Sequence, residues 1–293
     1  MRLSSLLVCL FIGQWALAAP SYESITMTTF NLKWYGLGGN IWGHSSMEFR
    51  KDNIRRFIKE ELSRSSIIVF TEIVDNELLA DTVKDTMECM GYQRESSRHQ
   101  HTAICFDKSK YRAEKYDEDY IIPEVDLGRN GQRPATHAKI CRKKGKCFLQ
   151  VLGVHLFAGR ETENRKKQIQ VIKDNFDRQS RMLPTAILGD FNSYNTTQTG
   201  LEKSDMAFFE EILSSKNRRF KTTNKDIPTY NSGERGRVYD HIVVSTNIKV
   251  SKTSGYLACA NNTNFNKRYI PYYSFKRYFS DHCPMTATLR VPI

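Results

Sequence analysis

Polar residues of a few kinds recur where the apolar runs of this 293-residue chain end. "SITMTTFN" closes on Asn31, "SIIVFTE" on Glu72, "CFLQVLGVHL" almost at its end on His155, and "TAILGDFN" on Asp190 and Asn192. "RVYDHIVVS" carries Asp240, and "FSDHCP" sets Asp281 beside His282. Imidazole titrates near working pH and can give or take a proton. Carboxylates and amide oxygens hold hard cations. One acid beside one histidine is common on any surface. An ordered set at successive strand ends is a candidate site, because a sheet fixes the positions of groups at its ends.

The elements that must hold these groups follow from periodicity. Ser24 to Asn31 alternates and is rich in β-branched residues, which predicts a strand. A glycine-rich loop, "GLGGNIWGH", follows it. Ser45 with Glu48 forms a capping-box pattern, and Ile54, Ile58 and Leu62 recur at helical spacing through Ser63. Ser66 to Glu72 reads as a buried strand, and a second helix is expected to align Leu79, Val83, Met87 and Met90 on one face. "TAICF", "THAKIC" and "CFLQVLGVHL" read as strands. A basic helix from about Glu161 to Arg181 turns Ile169, Ile172 and Phe176 inward. A helix over 204–214 precedes "RVYDHIVVS" and the closing strand "MTATLRV". Strands and helices alternate without a low-complexity linker, so residues 20–293 are expected to form one α/β domain with a mixed sheet.

Residues 1–19, with Arg2 before an apolar run from Leu6 to Leu17 and small residues after it, read as a secretory signal peptide. The run is too short for a comfortable bilayer span, which needs about 20 residues, so no transmembrane segment is expected and the chain is placed outside the cell or in a periplasm. Of seven cysteines, Cys9 leaves with that peptide. Six thiols in an oxidising compartment allow fifteen pairings. The expectation is nearest-neighbour bridges: Cys89 to Cys105, Cys141 to Cys147 across the basic tip "CRKKGKC", and Cys259 to Cys283. The formal net charge of +12 suits a polyanionic partner, nucleic acid or an anionic membrane surface. Asn195 and Asn261 lie in glycosylation acceptor patterns.

Taken together, "FNLKWYG", "TE", "GVHL", "GDFN", "YDHIVV" and "SDHCP" resemble the endonuclease/exonuclease/phosphatase superfamily. Within it they resemble the branch of pancreatic deoxyribonuclease and the nuclease subunit of cytolethal distending toxin. The resemblance implies a four-layered α/β sandwich, two packed mixed β-sheets flanked by helices. It also implies a hydrolase of phosphodiesters. Such an ester repels a water nucleophile and gains charge in its transition state, so a hard cation is the expected helper. Glu72 is then the natural Mg²⁺ ligand, with Ca²⁺ or Mn²⁺ as alternatives, Asn31 assisting and Asp281 as a further ligand. His155 and His282 are the acid and base, in either order. By resemblance Asp240 orients His282. Asp190 and Asn192, two apart on an extended segment, are expected to share one side and to hold a phosphate oxygen, a water or a second cation.

Arg133, in "RPA", resembles a family position close to the substrate phosphate. Basic segments around Arg94, Arg98 and Arg129, and the aromatic-rich "NKRYIPYYSFKRYFS", are further candidates for gripping phosphates and stacking on bases. Where duplex-cleaving relatives carry an arginine after the metal glutamate, this chain has Val74 and Asp75. The reading is a secreted, Mg²⁺-dependent endonuclease on DNA, with RNA as a further substrate, acting as a monomer. A phospholipid phosphodiesterase, sphingomyelinase-like, or a phosphatase on the same core, with Trp42 in the glycine-rich loop as the one pointer to a membrane substrate, and a non-catalytic polyanion-binding or toxin-complex role are the alternatives.

Overall fold

In the computed structural model, the residues described are 21–37, 46–91, 100–115, 121–127, 133–179, 182–195, 203–215, 218–224, 226–231, 236–259 and 272–293. Residues 1–19, Ser45, Trp42, Arg94, Arg98, Arg129 and Asn261 lie outside them. One sheet has six strands in the order β14 (Lys249–Gly255), β15 (Met285–Pro292), β1 (Tyr22–Tyr35), β2 (Ile67–Ile73), β4 (His101–Asp107) and β3 (Met87–Gly91). The other has seven: β10 (Phe220–Thr222), β13 (Asp240–Ser245), β9 (Thr185–Asp190), β8 (Cys147–His155), β7 (Ala135–Arg142) and β5 (Tyr111–Lys115), with β6 (Ile121–Ile122) also on β7. β11 (Tyr230–Asn231) and β12 (Gly236–Arg237) form a separate ribbon. β1 with β2 and β8 with β9 are the parallel pairs in otherwise antiparallel sheets.

Strict alternation builds the layers. Ile25 and Met27 of β1, Ile67 and Val69 of β2, Leu149 and Val151 of β8, Leu188 of β9 and Ile242 of β13 face one another between the sheets. Their neighbours face outward. Phe30, Ile68 and Phe70 meet Ile54, Phe57 and Phe275 of helices α1 (Met47–Glu60) and α5 (Tyr272–Tyr278). Leu152, Val154 and Ile187 meet Ile169, Ile172, Phe176 and Phe209 of α3 (Thr162–Asp177) and α4 (Asp205–Leu213). The result is the expected four-layered α/β sandwich of two mixed sheets.

Local differences have local causes. Ser46 caps α1 through a bond from the Phe49 amide. α2 (Asn76–Val83) stops before Met87 and Met90, which lie on β3 because that segment pairs with β4, Cys89 opposite Cys105. α3 ends at Asp177, short of Arg181. Cys89–Cys105, Cys141–Cys147 and Cys259–Cys283 are bonded. Gly189 has φ +151, and a Cβ there would meet the Val154 carbonyl oxygen at 1.8 Å, so β8 and β9 approach this closely only over a glycine.

Two buried histidines predict acid lability. His137 accepts a bond from the Gln150 amide at 2.7 Å, and burial pushes its pKa down to about 3. His241, buried against Ser193, is pushed down to about 4 by burial, against the pull of Asp240. Both lie below the unfolded value. Their contribution to stability is therefore complete above about pH 6.5 and is lost as the pH falls towards the folded values. Between pH 6.5 and 5.5 the two together are expected to cost about 2 kcal/mol. Urea unfolding at the two pH values measures this, and His241→Gln should shrink the loss by about half.

Candidate active site

Strand parity decides which side chains can meet. On β1, β8, β9 and β13, Asn31, His155, Asp190 and Asp240 share parity with the residues that face between the sheets. Register brings three of them level: Asp190 pairs with His155 on one side and with Asp240 on the other. All four are buried at one end of the sandwich.

Glu72 would face outward with Phe70 by the same parity. It does not, because its φ is +59, in the left-handed region, and the β2 register with β4 shifts between Phe70 and Ile73. A non-glycine residue held this way carries strain of about 1–3 kcal/mol, and here it re-aims the carboxylate. Asn31 Nδ2 donates to Glu72 Oε1 and to Asp190 Oδ2, both at 3.0 Å, and Gln100 Nε2 donates to Glu72 Oε2 at 2.9 Å. Lys33 and Trp34 also have positive φ, where β1 shifts register against β2. The amide of Lys33 donates to Asn31 Oδ1 at 2.8 Å, and its ammonium pairs with Asp281 at 2.7 Å.

His282 arrives from the segment before β15. Its backbone is tied to Tyr230 and Ser280, and the next residue, Cys283, donates to the Thr229 carbonyl at 2.7 Å. His282 Nδ1 donates to Asp240 Oδ2 at 2.7 Å, and Nε2 faces Asp190 Oδ2 at 3.8 Å. His155 Nε2 stands 3.7 Å from Asp190 Oδ2 and 3.8 Å from Glu72 Oε1. Arg133 donates to the Leu156 carbonyl at 3.1 Å, which Asn192 Nδ2 also reaches, at 3.0 Å. Asn192 itself is not extended: its φ is +46, and its amide folds back to Asp190 Oδ1 at 2.8 Å. The chain turns there because the side-chain carboxylate of Asp190 takes the amide that a strand would have used.

Charge separates the two imidazoles. Burial opposes the charged form of His282, but Asp240 and Asp190 outweigh it and raise the pKa to about 10. Burial, with Arg133 and His282 adding to it, holds His155 well below the usual histidine range. Burial also raises Glu72, and it lifts Asp190 to about 7. Crowded, desolvated carboxylates of this kind favour a cation among them. Glu72, His155 and Asp190 offer ligand atoms within 4.8 Å of one another, as do Asp190, Asp240 and His282. Nδ1 of His155 and Oδ1 of Asp240 are buried without a hydrogen-bond partner. The donor set therefore fits a divalent metal.

A scan against protein-family models finds no match, and a search of curated proteins finds no relative. Solved structures do match. An endonuclease/exonuclease/phosphatase family protein from Bacteroides thetaiotaomicron superposes with a TM-score of 0.65 at 18% identity, covering 94% of this chain and 98% of that one. The chain has the endonuclease/exonuclease/phosphatase fold. TDP2 of D. rerio, solved with a single-strand DNA product, shares this fold at a TM-score of 0.62 and 12% identity, covering 91% of this chain and 99% of its own. A Bacteroides thetaiotaomicron mannosyl-6-phosphatase gives 0.63 and 19%, covering 90% and 99%.

Two supports of the candidate site escape a reading by motif. Gln100, which braces Glu72, lies at the end of a basic segment and carries no pattern of its own. Arg50 is buried and donates to the carbonyls of Leu32 at 2.5 Å and Phe279 at 2.8 Å, pinning the strand of Asn31 to the approach to His282. Its signal was present: it stands four residues before Ile54, on the apolar stripe of α1.

Proposed function

We propose that the chain is an exported, divalent-metal-dependent endonuclease. In this reading residues 1–19 are removed, and residues 20–293 act as one catalytic domain and a monomer. The substrate is the phosphodiester of DNA, with RNA as a second substrate. One observation carries the reading: the carboxylates of Glu72, Asp190 and Asp240 and the imidazoles of His155 and His282 converge at one end of the sandwich. The three bridges between cysteines support export.

A metal ion, Mg²⁺ in the first instance, would be held by Glu72 with Asp190 beside it, and would supply charge stabilisation to the phosphate. The remaining work falls to the chain. Asp240 fixes the tautomer and direction of His282, so that Nε2 meets the centre of the site. Because Asp240 also keeps that ring protonated, His282 serves as the proton donor to the leaving oxygen. His155, held neutral, accepts a proton from the attacking water. Asn192 and Arg133, which both reach the Leu156 carbonyl, would hold the substrate phosphate, Arg133 as its cation. Asp75 accepts from the Leu78 amide as the cap of α2 and Val74 is apolar. Neither residue offers a cation to a duplex groove, which favours single-stranded or nicked substrates.

The test offers the purified full chain plasmid, single-stranded DNA, RNA and sphingomyelin vesicles, with Mg²⁺ or with chelator. Cleavage of nucleic acid that chelator abolishes and added Mg²⁺ restores is the expected result. Intact nucleic acid beside cleaved lipid overturns the proposal in favour of the phospholipid reading.

A further inference from the structure

Cations that the site does not use collect at the far end of the sandwich. β8 begins at Cys147 and reaches the site at His155, so the tip of the β7–β8 hairpin stands about 26 Å away, at about 3.3 Å per residue. Three loops are stitched together there. Lys108 Nζ donates to the Lys84 carbonyl, Lys143 Nζ to the Lys108 carbonyl at 3.0 Å, and the Lys143 amide to the Lys110 carbonyl at 2.9 Å. Arg112 reaches the Gly145 carbonyl at 3.2 Å.

Acids engage part of this group: Asp81 pairs with Lys84, Asp107 with Lys110, Glu114 with Arg112 and Glu23 with Arg142. Lys108, Lys143, Lys144 and Lys146 are exposed, and no ion pair among the described residues engages them. Holding like charges together costs stability through self-repulsion. The Cys141–Cys147 bridge closes the tip, so the loop cannot open to relieve it.

We propose that this end is a second nucleic-acid contact, gripping the phosphates of one segment of a long polynucleotide while another segment lies at the catalytic end. It rests on the nuclease reading above. Lysine ammonium groups act as point charges, which suits grip on a phosphate backbone without reading sequence. A bilayer fits less well. The exposed large apolar side chains among the described residues are Phe49 and Ile293, and neither belongs to these loops.

The experiment compares the full chain with a fourfold variant, Lys108→Ser, Lys143→Ser, Lys144→Ser and Lys146→Ser. Both are titrated in chelator against long fluorescent single-stranded DNA over about 50 to 200 mM salt. The slope of log affinity against log salt should fall by about 3 in the variant, as four phosphate contacts predict. The matching fourfold Lys→Arg variant should keep the slope, and circular dichroism should report an unchanged fold for both. With Mg²⁺, hydrolysis of a dinucleotide, too short to span the distance, should be equal in all three proteins. An unchanged slope overturns the proposal. So does a loss seen with phosphatidylserine vesicles or heparin and not with DNA. Failure of every protein on plasmid, single-stranded DNA and RNA with Mg²⁺ sinks the nuclease reading separately, since the salt slope is read without turnover.

Discussion

His282→Ala is expected to slow cleavage of a polynucleotide by about 10²- to 10⁴-fold, the usual worth of a positioned acid or base. The same change should cost under about tenfold on a 4-nitrophenyl phosphodiester, whose leaving group departs without being protonated. The contrast follows from the pairing of His282 Nδ1 with Asp240 at 2.7 Å: Asp240 and Asp190 favour the charged ring, so Nε2, which faces the site, carries the second proton. Measuring kcat for both substrates separates the roles of the two histidines. Equal losses on the two substrates would move the donor role to His155. A fully active variant would remove His282 from the chemistry altogether.

Arg165→Ala is expected to destabilise the fold by about 3–5 kcal/mol, because it strands a buried carboxylate. For a domain of this size that lowers Tm by roughly 10 °C. The guanidinium and Asp205 are both fully buried. Arg165 donates to Asp205 Oδ2 at 2.7 and 3.0 Å and to the carbonyls of Phe157 at 3.0 Å and Gly159 at 2.6 Å, while Asp205 also takes the Tyr194 amide at 3.0 Å. The pair therefore locks the loop that follows His155 to the loop that follows Asn192. Replacing both partners with Arg165→Met and Asp205→Leu should cost less than the single alanine, since no charge is left stranded. Urea unfolding of the three proteins decides the matter, and a double variant no better than Arg165→Ala would contradict the account.

Alternation made most of the sandwich legible. The apolar runs that end in Asn31, His155 and Asp190 are strands, and their parity already puts these side chains on one face. Glu72 is the instructive exception. Its type and order marked it, yet period-two reasoning turns it away from the site, and only the left-handed backbone at that position returns it. Asn192 fails for a related reason, since a side-chain bond from Asp190 bends what looked extended. Met87 and Met90 fit a helical stripe, but pairing with β4 outweighed local periodicity. Arg165 was readable in principle: it lies four residues before Ile169 and seven before Ile172, a cation on an otherwise apolar stripe, and such a cation is buried only with a partner.

The pairing of β1 with β15 has a consequence for the timing of activity. Tyr22 lies opposite Pro292, and β15 is seated between β14 and β1 rather than at an edge. The last strand of the sheet must therefore insert between two others, and the histidine that precedes it arrives with it. Contacts between residues so distant in sequence form slowly. A chain still emerging from the ribosome holds Asn31 and Glu72 long before it holds His282, so under the proposed function no turnover that needs His282 begins before folding is complete.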